Sequence, residues 1–199
     1  MDLTGRVALV TGGAGHIGSA MAEALSELGA SVALIGRNEQ QGKEVAARLT
    51  KEYGVDALAL PVDLGNDDEV RAVPAQILKK FGRLDILMNN AALVGTSNLK
   101  GWAVPFKEQN VETWRKALDI NLTAVFVLTQ ACADALEQSG HGSVINIGSI
   151  YGMVGPQMAL YEGTSLGNPA AYAASKGGLL QLTRWLASVM APKVRVNSI

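Results

Sequence analysis

Apolar residues along this chain fall into two alternating patterns. Short, nearly unbroken aliphatic runs occupy 7–10, 32–35, 58–62, 86–88, 144–147 and 194–196, and between them apolar positions recur every three to four residues. The second pattern predicts helices over 17–28, 39–53, 67–81, 111–138 and 170–190. Strands that are apolar on both faces belong inside a parallel sheet with helices on each side. The right-handed crossover rule turns such an alternation into a doubly wound α/β fold. No repeat, low-complexity tract or linker interrupts it, so 1–199 reads as a single domain.

Composition narrows the function classes. The chain is 48% apolar and 18% charged, far from the balance of disordered chains. Seventeen basic and 18 acidic side chains leave a formal charge of -1, which offers no broad field to nucleic acid or anionic lipid. Cys132, the lone cysteine, has no intrachain partner and lies in a buried-helix pattern, which points to a reducing compartment. No run reaches the ~18–20 apolar residues of a membrane span, and the N-terminus lacks a signal-like apolar core. A cytoplasmic protein without membrane or nucleic-acid partners is expected, and no metal site.

The first strand runs into Thr11-Gly12-Gly13-Ala14-Gly15-His16-Ile17-Gly18 and then a helix. Glycine permits a tight turn and close backbone approach to a pyrophosphate, whose charge the helix N-terminus stabilises. In this setting the motif predicts a dinucleotide site of the Rossmann-like kind, with contacts from Gly12, Gly15, His16, Ile17 and Gly18. Asp63 and Leu64 after the third strand, and Asn90 and Ala91 after the fourth, would flank the same crevice. Asp63 would accept from the adenine amino group, or act only as a turn brace. The second strand ends in Gly36-Arg37-Asn38 with no acidic residue for a ribose 2'-hydroxyl. Arg37 therefore favours NADP(H) over NAD(H), the other reading being a surface guanidinium that only stacks on adenine.

Tyr172 and Lys176 are four residues apart and share a helix face. A nearby ammonium favours a phenolate, making tyrosine a usable acid/base near neutral pH. Ser149 closes the fifth strand at the ligand-binding edge, where its hydroxyl would polarise a carbonyl, and Asn121 is a polar residue inside a long apolar helix. An Asn121 side chain that holds a water next to Lys176 would relay protons. Taken singly, Ser149 as a strand-end cap and Asn121 as a satisfied core amide are equally good readings. Two long connections, 90–111 and 152–169, leave the same edge; the first carries Gly95, Gly101, Pro105, Trp102 and Phe106.

Together these residues resemble the short-chain dehydrogenase/reductase family: Thr11-Gly12 through Gly18, Asp63, Asn89-Asn90-Ala91, Asn121, Ser149, Tyr172-x-x-x-Lys176 and Val194-Arg195-Val196-Asn197-Ser198. The resemblance spans the whole chain. It implies a catalytic tetrad, with Tyr172 as acid/base, Lys176 as its modulator and nicotinamide-ribose ligand, Ser149 as carbonyl stabiliser and Asn121 as relay. An NAD(P)-dependent interconversion of a secondary alcohol and a ketone follows, on a small-molecule substrate. The segment 151–169 is similar to reductases of bacterial cell-surface sugar synthesis, which implies a sugar-derived substrate. Three departures stand out. His16 replaces a glycine usual in the oxidoreductase branch, and Gly12, Gly15 and Gly18 match the spacing of the nucleotide-sugar branch. Ser149 and Tyr172 are 23 residues apart, a long interval. The chain ends at Ile199, ahead of the substrate-covering C-terminal segment that the family carries.

A nucleotide-sugar epimerase or dehydratase that retains its cofactor is the alternative, and a non-catalytic dinucleotide-binding regulator a third. A homodimer or homotetramer is expected through helices 111–138 and 170–190, whose Leu118, Leu122, Phe126, Leu179, Leu182 and Leu186 exceed what one sheet face covers. The 151–171 loop, rich in glycine and proline, is expected to line the substrate pocket and to move when substrate is absent.

Overall fold

The computed structural model describes every residue except 95, 96, 165 and 166. Gly95 of the first long connection, and Ser165 and Leu166 of the second, thus lie outside the described residues. Strands β1 (Val7–Thr11), β2 (Ser31–Gly36), β3 (Ala57–Pro61), β4 (Ile86–Asn89), β5 (Gly142–Asn146) and β6 (Val194–Ser198) form one parallel sheet in the order β3-β2-β1-β4-β5-β6. The order reverses direction between β1 and β4. Connections there leave to opposite faces, which opens a crevice at the carboxyl ends of those strands.

Alternation along the strands divides the core in two. Leu9, Ile35, Leu87 and Val144 point to one face, against Val70, Ile77, Leu128, Leu136 and Leu186. Val10, Leu34 and Met88 point to the other, against Ala22 and Leu49. These helix residues come from α1 (His16–Glu27), α2 (Glu39–Tyr53), α3 (Asp67–Phe81), α5 (Ala124–Gln138) and α6 (Ala170–Met190). Each fully buried leucine contributes about 2 kcal/mol by leaving water. Buried Asp85 fixes the start of β4: Arg83 donates to both its oxygens, at 2.8 and 2.6 Å, and the Val7 amide donates at 2.9 Å.

The stretch expected as one helix over 111–138 is α4 (Val111–Leu118), a π turn (Asp119–Thr123) and α5. The Ala124 amide reaches back five residues to the Asp119 carbonyl. Such a turn accommodates one extra residue, and here that residue group contains Asn121. The apolar surplus on α6 is also placed differently. Leu179 and Leu186 are buried in the protein's own core, and the exposed apolar side chains of that helix are Trp185 and Val189, each 54% exposed.

Candidate active site

The turn between β1 and α1 is built so that only glycine fits at two points. Gly12 has φ +63°, and a Cβ on Gly18 would stand 2.1 Å from the Gly12 carbonyl oxygen. Hydrogen bonds fix the turn from both sides: the Gly12 amide donates to Ile35 O at 2.8 Å, and Gln41 Nε2 donates to Ala14 O at 2.9 Å. Thr11 ties it to the end of β4, since its Oγ1 accepts from the amides of Asn90 and Ala91, each at 2.9 Å. Asn90 Nδ2 returns a bond to Thr11 O at 2.9 Å. Whereas Asn38 and Asn66 cap α2 and α3 with side-chain oxygens, α1 starts at Gly15 with no side-chain cap and no acidic residue in its first turn. Its leading N–H groups are left to a ligand anion.

A cleft of about 910 Å³ opens over this turn. Its walls include Gly12, Gly15, His16, Ile17, Gly18, Arg37, Asp63, Leu64, Asn90 and Ala91, all expected from the sequence to contact a dinucleotide. Ile17 is 62% exposed and gives that wall an apolar surface. Arg37 is exposed and forms no ion pair among the described residues. Asp63 acts as the turn brace foreseen for it. One carboxylate oxygen accepts from the Gly65 amide at 3.0 Å, bracing the turn, and the other has no partner among the described residues.

Leu93 and Ile120 carry the cleft to the second set of residues. Asn121, 1% exposed, accepts from the Leu93 amide at 2.7 Å and donates through Nδ2 to Leu93 O at 3.0 Å and to Ser175 Oγ at 3.1 Å. Both amide hydrogens are spent. The side chain fastens the chain after β4 to α6, and a relay water beside it would be held through the remaining lone pair of its oxygen. Ser175 passes the tie on, donating to Tyr172 O at 2.8 Å.

Lys176 is 3% exposed, and its Nζ donates to Ile147 O at 2.5 Å while standing 5.9 Å from the centre of the Tyr172 ring. Burial pushes its pKa down to about 8. Tyr172 is half-buried against the cluster of Trp102, Ala117 and Ala171, and its hydroxyl has no partner among the described residues. Ser149 Oγ accepts from the Tyr151 amide at 3.2 Å, as a strand-end cap would, but its own hydrogen has no acceptor among the described residues. Ser149, Tyr172 and Lys176 stand off the walls of the cleft; Leu93, on the wall, packs on the same Trp102 cluster as Tyr172.

Sequence reasoning passed over several supports. Ser175 and Gln41 act through single hydrogen bonds that no spacing announces. Gly152 lets the segment after β5 lie on α6, because a Cβ there would meet the Lys176 carbonyl at 2.7 Å. Trp102 is buried and its indole donates to Val94 O at 2.7 Å, which pins the first long connection beside Tyr172. A large aromatic in a glycine-bearing loop was the available signal.

Residues 6–199 match the family described as short chain dehydrogenase. The chain is 33% identical over 195 residues to cis-4-hydroxycyclohexanecarboxylate dehydrogenase of Sinomonas cyclohexanicum, covering 98% of this chain and 71% of that protein. It is 36% identical to the rhamnolipids biosynthesis 3-oxoacyl-[acyl-carrier-protein] reductase of Pseudomonas aeruginosa, covering 100% and 72%. Among solved structures, NAD+-bound xylitol dehydrogenase superposes with a TM-score of 0.86 at 30% identity, covering 100% of this chain and 70% of that one. The Pseudomonas aeruginosa RhlG/NADP active-site complex gives 0.86 at 33%, covering 99% and 72%. With the glycine turn, the cleft and the Tyr172-Lys176 pair in place, the chain belongs to the short-chain dehydrogenase/reductase family and is an oxidoreductase that interconverts an alcohol and a carbonyl with a nicotinamide dinucleotide.

Proposed function

We propose that residues 1–199 act as one dinucleotide-binding unit that prefers NADP(H), with Asn121, Ser149, Tyr172 and Lys176 as its catalytic tetrad. One observation carries this reading. The hydroxyl of Tyr172 has an unspent hydrogen beside the buried Lys176 ammonium, and Ser149, likewise unspent, follows β5 on the edge of the sheet where the dinucleotide-sized cleft opens. The uncapped start of α1 would hold the pyrophosphate, Arg37 the 2'-phosphate, Asp63 and Leu64 the adenine, and Asn90, Ala91 and Lys176 the riboses. A bound nicotinamide supplies or accepts the hydride. Ser149 donates a hydrogen bond to the substrate oxygen and so stabilises its developing charge. Tyr172 gives that oxygen a proton in reduction and takes it back in oxidation. Lys176 spends one hydrogen on Ile147 O and keeps two for the phenol and a ribose hydroxyl. Asn121 acts by position, holding Leu93 and Ser175 on either side of the reacting groups.

A sugar-derived, hydroxylated substrate belongs to the same proposal, supported by a xylitol dehydrogenase among the structural neighbours and a cis-4-hydroxycyclohexanecarboxylate dehydrogenase among the relatives. So do a cytoplasmic setting and a homodimer or homotetramer. The oligomer would use the α4–α5 face, where Trp114 and Phe126 are 37% and 39% exposed, with Trp185 and Val189 of α6.

The test is cofactor oxidation or reduction followed optically across a panel of alcohols and ketones. Tyr172→Phe should lower turnover by at least ~10²-fold with NADPH affinity retained, because it removes a transferable proton and little binding surface. Arg37→Asp should weaken NADPH far more than NADH. Full activity in the first variant, or equal losses with both cofactors in the second, would overturn the corresponding assignment.

A further inference from the structure

The segment between β5 and α6 contains a second pair of phenols. Tyr151 lies in a short 3₁₀ turn (Ile150–Gly152) and Tyr161 ends another (Met158–Tyr161). Their hydroxyl oxygens are 2.6 Å apart, and both rings are half-buried. The pair adjoins the reacting groups: the Tyr151 amide donates to Ser149 Oγ, and Gly152 packs on the backbone of Lys176. The Tyr151 phenol is held above its ordinary range by its bond to Tyr161 and by burial, and the charge of an ionised Tyr172 would raise it further. Asn168, four residues before Tyr172, lies beside the Tyr151 oxygen and acts in the opposite direction on that phenol.

Counting hydrogens in this cluster leaves one over. Two phenols bring two O–H donors, and one of them is used between the rings. If Tyr151 donates to Tyr161, the hydrogen of Tyr161 remains. If Tyr161 donates, the hydrogen of Tyr151 remains. In either case no described residue accepts it, and a phenol O–H in a half-buried site keeps a directional demand for an acceptor. No lysine or arginine lies between Ser149 and Lys176, so the segment itself offers no cation to a carboxylate or phosphate.

We infer that the Tyr151–Tyr161 pair is a specificity determinant that donates a hydrogen bond to a neutral hydroxyl oxygen of the substrate, away from the carbon that reacts at Tyr172. This deepens and rests on the proposed hydroxylated substrate, naming the residues through which it is told from an apolar alcohol of similar size. The site selects against the apolar alcohol because the leftover O–H would then be buried without an acceptor.

The test pairs xylitol and cyclohexane-1,2-diol with cyclohexanol. Oxidation with NADP+ is followed optically, and binding of the same alcohols to the NADP+ complex is titrated by NMR, which needs no turnover. Whichever of Tyr161→Phe and Tyr151→Phe removes the phenol with the spare hydrogen should reduce the preference for the two polyols over cyclohexanol by about tenfold, the worth of one such bond, in both kcat/KM and affinity. NADP+ affinity should be unaltered. Preferences within twofold of the parent in both variants would overturn the inference. A parent that binds polyols better than cyclohexanol, loses that preference in the variants and oxidises none of them would sustain the recognition and overturn the proposed polyol substrate beneath it.

Discussion

Lys176→Met offers a test in which stability and activity should move in opposite directions. The ammonium is 3% exposed with one fixed acceptor, Ile147 O, and its pKa falls from the ordinary 10.5 to about 8 through burial. Each pKa unit is worth about 1.4 kcal/mol, so keeping the charged lysine in the fold costs ~3 kcal/mol near neutral pH. Methionine removes that cost and fills similar space, while leaving Ile147 O without its donor, a loss of about 1 kcal/mol. The variant should therefore be more stable than the parent at pH 7 by about 2 kcal/mol while losing turnover. The sign with pH follows from proton counting. Below pH 8 the lysine is charged in both states and the cost is fully present. Between pH 8 and 10.5 the unfolded chain binds the proton and the folded one does not, so parental stability rises with pH relative to the variant. Urea denaturation without cofactor, at pH 7 and pH 10, reads the difference directly, since bound cofactor would mask it. A stability difference that is the same at both pH values would refute the reasoning.

Three further outcomes follow from geometry. Gly18→Ala sets a methyl 2.1 Å from the Gly12 carbonyl oxygen, so NADPH affinity should drop at least ~10-fold, and stability by about 1–3 kcal/mol, in fluorescence titration and urea melts. Thr11→Val deprives the Asn90 and Ala91 amides of their common acceptor and should cost about 2–4 kcal/mol, with Thr11→Ser restoring most of it; unchanged melting of the valine variant would disprove the clamp. Replacing both Trp185 and Val189 with Glu should convert the proposed oligomer to a smaller species in light scattering, and an unchanged mass would overturn this interface.

The strand and helix spans were legible because each reports a periodicity that the sheet enforces. Near-continuous runs such as 86–88 are buried on both faces, and the amphipathic stretches carry their own punctuation in Asn38, Gly54, Asn66 and Gly82. The cofactor walls were legible for a related reason: glycines between a strand and a helix, and an arginine at the end of β2, are local signals. What could not be read is non-local. The π turn at Asp119–Thr123 keeps the apolar stripe of a helix, so periodicity passes through it unbroken. Asn121 owes its role to Leu93 and Ser175, 28 and 54 residues away, and without those partners a water seemed the natural occupant of its amide. Leu179 and Leu186 were assigned to an interface because composition shows that a helix is apolar all round without showing which side the sheet takes. The 2.6 Å meeting of Tyr151 and Tyr161 likewise depends on two separate turns brought together by the fold.

The separation between the cleft and the segment after β5 has a consequence for combining substitutions. Arg37 stands at the end of β2 and Tyr161 in a turn before α6, and the two share no hydrogen-bond partner. Free energies of changes at sites without common partners add, so their effects on rate and affinity multiply. A double variant, Arg37→Asp with Tyr161→Phe, should show a loss for NADPH and a loss of polyol preference that are each the same size as in the single variants. Coenzyme choice and alcohol choice would then be adjustable one at a time in this scaffold.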